Sequence, residues 1–443
     1  MLGKKLKLAL AYLFMLISLS LPSTIFAYQY SPPFKLSSIS ALLMDANSGQ
    51  IIYSQNPHHR LQPASLAKVM TLFLIFDALD RGAVKLIDEM VISKNTTQKK
   101  GSTMYLHEGE KVALVELIKG IAVVSGNDAC VAVAEGVFGS EQNLVDKMNQ
   151  KLRDLNLQNS QFQTADGWPA SEQYTTAYDM AMLAHAYIQE HPEALQYHKL
   201  KEFTHADILM HNRNGLIFQD PSVDGLKTGH VEEAGYHLIA TAERENRRYI
   251  TVIMGADKIE TREKEAVQLL DFGFNNFMTV KLFNKDDILS HLSVLRGVKG
   301  KVGLRLSEDG IITIPTGQKK FISYELKTPK QQEAPIKTDQ RLGQVIISYR
   351  TEIMKKIPLV ANEDIQRATT KMLVMQSVRS TVVRYKYVLL IILFILLCML
   401  VMLYLYIRKF QRRFEKTDPK QAEIVKQRLE KILKSDETSK TDR

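Results

Sequence analysis

The sequence predicts an α+β body built on an antiparallel sheet covered by helices, followed by a small all-β domain and a single C-terminal transmembrane helix. Three observations predict it. Strand-like runs at 41–53 and 236–254 bracket a long helical middle, a pattern that brings the first and last strands side by side in one sheet. After Phe277 the texture changes to short strands separated by turns rich in Gly, Lys and Pro. Tyr387 to Ile407 carries no charged residue and is long enough to cross a bilayer as a helix.

At the N-terminus, Lys4, Lys5 and Lys7 precede an apolar run from Leu8 to Leu21, with Pro22, Ser23 and the small Ala27 behind it. This reads as a secretory signal over residues 1–27, cleaved after Ala27; the run is short for an uncleaved spanning anchor. Ala41–Met44 and Ile51–Tyr53 flank the turn Asn47-Ser48-Gly49 as a hairpin. A helix is expected from near Ser65 to Leu79, with Gly82 past its end. The apolar stretch Glu116–Ala134 is interrupted at Ser125-Gly126-Asn127 and reads as two helices. Asn143–Leu155 and Thr176–Tyr187 have helical periodicity. Tyr236–Ala242 and Tyr249–Met254 form a hairpin, and Glu263–Phe274 is a closing helix. Beyond it, Val302–Leu306, Ile311–Ile314, Phe321–Leu326 and Val345–Tyr349 are short strands. These elements assign 28–278 to the body, 279–365 to a β-rich domain, 366–386 to a stalk, 387–407 to the span and 408–443 to a basic tail. In the tail, Asp418-Pro419 starts a helix with Ala422, Val425, Leu429 and Ile432 on one face.

The chain has 443 residues, 45% hydrophobic and 24% charged, which suits two domains. Its net charge of +10 is concentrated at the ends: the tail carries +5, the signal +3 and the exported body only +2. That excludes a nucleic-acid-binding body on charge. The export signal places the body outside and Arg408, Lys409, Arg412 and Arg413 in a cytoplasmic tail. Cys130 lies in the body and Cys398 in the span, so no disulfide joins them.

Three clusters carry chemistry. In Pro63-Ala64-Ser65-Leu66-Ala67-Lys68, an amine one helical turn from a hydroxyl is placed to take its proton once burial lowers the lysine pKa. Alone, this spacing is equally a capped surface helix. Ser125-Gly126-Asn127 projects a hydroxyl and an amide from a helix break; alone, it is equally a plain turn. Asp224-Gly225-Leu226-Lys227-Thr228-Gly229-His230 offers donors for an anionic group and a glycine for close backbone approach; alone, it is equally a strand edge with a solvated lysine. Together and in this order, S-x-x-K, S-x-N and K-T-G mark penicillin-binding proteins and class A β-lactamases.

The chain resembles the serine D-alanyl-D-alanine carboxypeptidases, the low-molecular-mass penicillin-binding proteins of S11 peptidase type. Met44–Gly49, Val123–Ala129, Thr175–Ala181, Asn212–Leu216, Val223–His230 and Ala234–Tyr236 carry the likeness, which is strong over 38–278 and weaker to Asn362. The resemblance implies a β-lactamase/transpeptidase-like body that removes the terminal D-Ala from peptidoglycan stem peptides and is acylated by β-lactam antibiotics. It implies Ser65 as nucleophile, Lys68 as base and Ser125 in protonating the leaving D-alanine. Asn127 would bind the substrate amide; Lys227, Thr228 and Gly229 would address the terminal carboxylate and the backbone beside it. Backbone N–H groups of Ser65 and His230 would form the oxyanion hole, and Arg262 would help hold the carboxylate. No cofactor is required, and no HExxH or paired-histidine spacing suggests a metal. A β-lactamase, using Glu172 or Glu108 to activate water, remains an alternative, as do a cross-link endopeptidase and a non-hydrolytic β-lactam receptor in the membrane. Val231 stands where the family commonly has Thr, and Trp168 where it has Leu. A full span replaces the family's usual amphipathic anchor.

Overall fold

A computed structural model describes residues 32–417 and 419–438; the signal segment, its cleavage point and Asp418 lie outside the described residues. The described chain divides into two compact units. One takes in the residues through Leu292 with Gly303–Lys330 and Thr338–Asn362; the other takes in Ser293–Val302, Gln331–Lys337 and the residues from Glu363 onward.

The first unit is organised by a five-stranded antiparallel sheet of order β2-β1-β5-β4-β3, with β1 Ser40–Asp45, β2 Gln50–Gln55, β3 Val223–Val231, β4 Gly235–Arg244 and β5 Arg247–Ala256. The first and last strands pair, as the sequence predicts. All six residues of β1 are buried because both faces of the sheet are covered. Leu42 and Met44 point into one core, with helices α1 (Lys68–Asp80), α2 (Asn127–Phe138), α3 (Glu141–Asp154) and α4 (Ala177–Glu190). Ala41 and Leu43 point into the other, against Ala266, Leu269 and Leu270 of α5 (Ile259–Asn276).

Helix α1 is apolar around its whole circumference, with ten of its thirteen residues buried, the pattern of a helix at the centre of a core. The surrounding helices are amphipathic or capped at the surface: Ser140 accepts from Asn143 N at the start of α3, and Thr176 from Asp179 N at the start of α4.

In the β-rich region of this unit, strand Phe277–Phe283 pairs with Gly310–Pro315, and Arg341–Tyr349 lies between Ile322–Lys327 and Glu352–Ala361. A sequence boundary after residue 278 falls inside the strand Phe277–Phe283. Glu352–Ala361 was not predicted because two lysines and Pro358 break its apolar alternation. The buried Asp45 carboxylate ties this region to the hairpin. It accepts from Thr279 Oγ1 at 2.5 Å, Thr313 Oγ1 at 2.8 Å and the backbone N of Asn47 at 2.8 Å.

In the second unit, Ser293–Leu295 pairs in parallel with Gln331–Glu333, and Ile336 bridges Ile365. Helix α6 runs unbroken over Thr370–Thr417. The helix therefore takes in most of the predicted stalk, all of the predicted span and the start of the predicted tail, with no break at 386 or 407. It holds the one stretch long and apolar enough to cross a membrane among the described residues. Helix α7 covers Pro419–Thr438, with Pro419 at its first position.

Replacing Asp45 by Ala removes the buried acceptor of Thr279 Oγ1 and of the backbone N–H groups of Asn47 and Ser48, and leaves Thr313 Oγ1 with only its contact to Ser48 Oγ. Asp45→Ala is expected to lower unfolding free energy by about 3 kcal/mol, measured from the guanidinium midpoint; a loss below about 1 kcal/mol would contradict the tie.

Candidate active site

Ser65 lies in a single tight turn, Ala64–Ala67, that leads directly into α1. The turn is sharp enough that Ala64, despite its Cβ, sits at φ +48°, a conformation that costs a non-glycine residue about 1–2 kcal/mol. Lys68 opens α1 one turn on. Its Nζ is fully buried and lies 2.9 Å from Ser65 Oγ, 2.7 Å from Asn127 Oδ1 and 2.6 Å from the backbone O of Asp166. Burial pushes the Lys68 pKa down, opposed by the nearby Asp166 and Asp128 carboxylates. Two of the three partners are carbonyl-type oxygens that only accept. A neutral amine donates its two protons there and turns its lone pair to the Ser65 hydroxyl.

Residues 120–124 form one over-wide helical turn, closed by Gly126 N donating to Gly120 O at 3.0 Å; such insertions favour functional sites. Ser125 follows at φ +66°. Its hydroxyl is buried and has no hydrogen-bond partner among the described residues. Asn127 is held by its backbone N on Ser102 O at 2.7 Å and its Nδ2 on Lys100 O at 2.5 Å, which leaves one Nδ2 proton.

β3 is the edge strand of the sheet, so its outer backbone groups are open to an extended peptide. Gly229 is where it meets the Ser65 turn: a Cβ there would stand 3.2 Å from Ala64 Cβ and 3.3 Å from Ser65 N. Thr228, Gly229 and His230 line a cleft of about 690 Å³ together with Ser65, Ser125, Asn127 and Arg262. Lys68 and Lys227 lie beneath its surface. Lys227 Nζ donates to the backbone O of Thr228 at 3.0 Å, and its pKa is pushed well down by burial and by Lys68. The His230 ring is exposed and stacks on Tyr236, centroids 4.0 Å apart. Arg262 is buried; its Nη2 donates to Glu263 Oε1 at 3.2 Å and its Nε has no partner. All nine residues singled out from the sequence therefore fall at this one place. Trp168 and Val231 line the cleft as well, whereas Glu172 and Glu108 do not; the acidic residues that line it are Asp166, Glu232 and Glu233.

The family profile described as D-alanyl-D-alanine carboxypeptidase (peptidase S11) matches residues 27–258, and that of the penicillin-binding protein 5 C-terminal domain matches 277–367. The D-alanyl-D-alanine carboxypeptidase DacF of Bacillus subtilis is 35% identical over 341 residues, 74% of this chain and 86% of the relative. The chain belongs to the D-alanyl-D-alanine carboxypeptidase family. The crystal structure of penicillin-binding protein 5 from Haemophilus influenzae superposes with a TM-score of 0.72 at 34% identity, covering 76% of this chain and 100% of that one. Penicillin-binding protein D2 from Listeria monocytogenes, in its cefotaxime-bound form, superposes with a TM-score of 0.52 at 27% identity, over 55% of this chain and 100% of that one.

Several supporting residues carry no signal that sequence reasoning could use. Thr71 Oγ1 donates to Ala165 O at 2.6 Å and so presents the Asp166 carbonyl to Lys68. His237 is buried in β4; its Nδ1 accepts from Gly255 N at 3.0 Å, so its Nε2 donates to Gln62 O at 3.0 Å and pins the chain entering the Ser65 turn. Burial lowers its pKa to about 4. His198, lowered to about 4 likewise, supports β3 through Leu226 O at 2.9 Å.

Gly167 has φ +79°, and a Cβ there would stand 1.8 Å from the Ala64 carbonyl oxygen. Gly167→Ala must displace the Ser65 turn. The variant is expected to lose at least about 100-fold in reaction rate with fluorescent penicillin; an unchanged rate would show that the turn tolerates the shift.

Proposed function

We propose that this chain hydrolyses the terminal D-Ala from peptidoglycan stem peptides ending in D-Ala-D-Ala through an acyl-enzyme on Ser65, and that β-lactams acylate the same oxygen. The observation that carries this reading is the buried Lys68 amine, 2.9 Å from Ser65 Oγ with its other two contacts both acceptors. The Lys68 lone pair takes the hydroxyl proton as Oγ attacks the carbonyl of the terminal peptide bond. The developing oxyanion is met by the backbone N–H groups of Ser65 and His230. Collapse breaks the C–N bond, and Ser125, whose hydroxyl is unengaged, relays a proton to the departing D-alanine amine. Water then adds to the Ser65 ester, giving a carboxylate and regenerating the hydroxyl. Asn127 holds a substrate amide through its remaining Nδ2 proton. Thr228 binds the terminal carboxylate with Lys227 and Arg262 beside it, and Gly229 admits the substrate backbone to the edge of β3. No step draws on a cofactor.

The Listeria protein bound to cefotaxime supports the β-lactam part of this reading. The apolar stretch of α6 and the basic residues after it support a single-pass anchor in the bacterial cytoplasmic membrane, with the catalytic domain outside and the C-terminus inside.

The detergent-solubilised full-length protein should release D-alanine from a peptide ending in D-Ala-D-Ala, and Ser65→Ala should abolish both release and penicillin labelling. Labelling retained by Ser65→Ala would reject the nucleophile assignment. Labelling without release in the wild type would favour a cross-link endopeptidase or a receptor.

The lowered Lys68 pKa has a signed consequence. The neutral amine is populated at lower pH than in a free lysine, so acylation should rise with pH through an inflection below the ordinary 10.5. Lys68→Arg cannot deprotonate in that range and is expected to lose about 100- to 10,000-fold. A flat pH–rate profile would remove Lys68 as the base.

A further inference from the structure

The ends of α1 and α4 meet far from the cleft, with Lys68 and Asp80 at opposite ends of a thirteen-residue helix, about 18 Å apart along its axis. His191, immediately after α4, is buried there, its ring packed against Phe73 at 5.4 Å and Phe76 at 5.7 Å. Its Nε2 lies 2.9 Å from Asp77 Oδ1. A carboxylate only accepts, so Nε2 carries the proton, and in the neutral ring Nδ1 is a lone pair. Nδ1 is buried and has no hydrogen-bond partner. The side chains that face it are Asp80, with Oδ2 at 3.3 Å, and Glu193, with Oε1 at 3.6 Å, and both are also acceptors.

We propose that Asp80, His191 and Glu193 form a binding site for a divalent transition-metal ion of the zinc type. A cation is what three converging acceptors lack. The spacing suits one: ligand atoms about 2.0–2.2 Å from a tetrahedral zinc ion lie about 3.3–3.6 Å from each other, the separation of His191 Nδ1 from Asp80 Oδ2 (3.3 Å) and Glu193 Oε1 (3.6 Å), and the two carboxylate oxygens lie within 4.8 Å of each other. The Asp77–His191 contact is the carboxylate–histidine pairing that fixes the tautomer and orientation of metal-binding imidazoles. The nearby ammonium is committed elsewhere: Lys151 Nζ lies 3.2 Å from Asp77 and 3.1 Å from Glu190. Asp80 and Glu193 are 64% and 49% exposed, so an ion enters from solvent and water completes its coordination. Bound there, it clamps the end of the central helix to the end of α4.

The test uses full-length protein in detergent without a histidine tag, stripped with chelator and dialysed against micromolar ZnCl₂. Retained metal is counted by mass spectrometry, and Tm is recorded with and without zinc. The comparison is with Asp80→Asn/Glu193→Gln, whose exposed positions leave the core intact. The wild type is expected to hold one more zinc ion per chain than the double variant and to gain Tm on adding zinc, a gain absent from the variant. Equal zinc content in the two proteins, at any level, overturns the proposal, because zinc then sits elsewhere or a proton on Nδ1 already satisfies the carboxylates.

Discussion

A lysine amine sealed from water is the constraint around which the active site is built. Stripping solvent from an ammonium costs several kcal/mol, and the group answers by shifting its protonation toward the neutral amine. Lys68 is then held by atoms from three separate segments: the Ser65 turn, Asn127 at the start of α2, and the backbone at Asp166. Each segment is fixed in turn by its own bonds. His237 holds Gln62, Ser102 and Lys100 hold Asn127, and Thr71 holds Ala165. The amine is thus the common hydrogen-bond partner of three segments far apart in the chain.

The same constraint explains where the backbone is forced. Ala64 and Ser125 both adopt left-handed φ, the first placing the Ser65 hydroxyl and the second its own hydroxyl at the cleft. Gly167 and Gly229 press against the Ser65 turn from two sides, with no room for a methyl group at the first and only a tight fit at the second. The conformational cost at Ala64 and Ser125 is offset by the apolar burial of α1 beside them.

Much of this was legible in the sequence because the covalent spacing itself does the placing. Three residues along a helix put Lys68 beside Ser65 whatever the rest of the fold. The helix break at 125–127 was readable from Gly126 in an otherwise apolar run, and the hairpin β4–β5 from its charged turn. The pairing of β1 with β5 followed from the order of strands and helices. What stayed hidden depends on contacts between distant segments. The Asp166 carbonyl has no side-chain signature at all. His237 looks like any polar residue in a strand until its two ring nitrogens are seen to bridge Gly255 and Gln62. Trp168 was readable as a departure near a cleft-lining loop, and the fold places it on the cleft wall. In the β-rich region, strands such as Glu352–Ala361 lack alternation because lysines and a proline occupy them, so pairing rather than pattern defines them.

The neutral histidines beneath the site give the protein an acid margin with two stages. His198 and His237 have pKa values of about 4 in the fold, against about 6.5 in an unfolded chain. A base with a lowered pKa contributes stability that is complete above 6.5 and drains away as pH falls toward 4, because the unfolded state takes up protons that the folded state refuses. Through that window the ring that anchors the Ser65 turn keeps its tautomer and both its bonds. Acidification therefore consumes the reserve of folding free energy before it disturbs the geometry of the Ser65 turn: between those two values the turn keeps its shape while the margin that holds it folded shrinks.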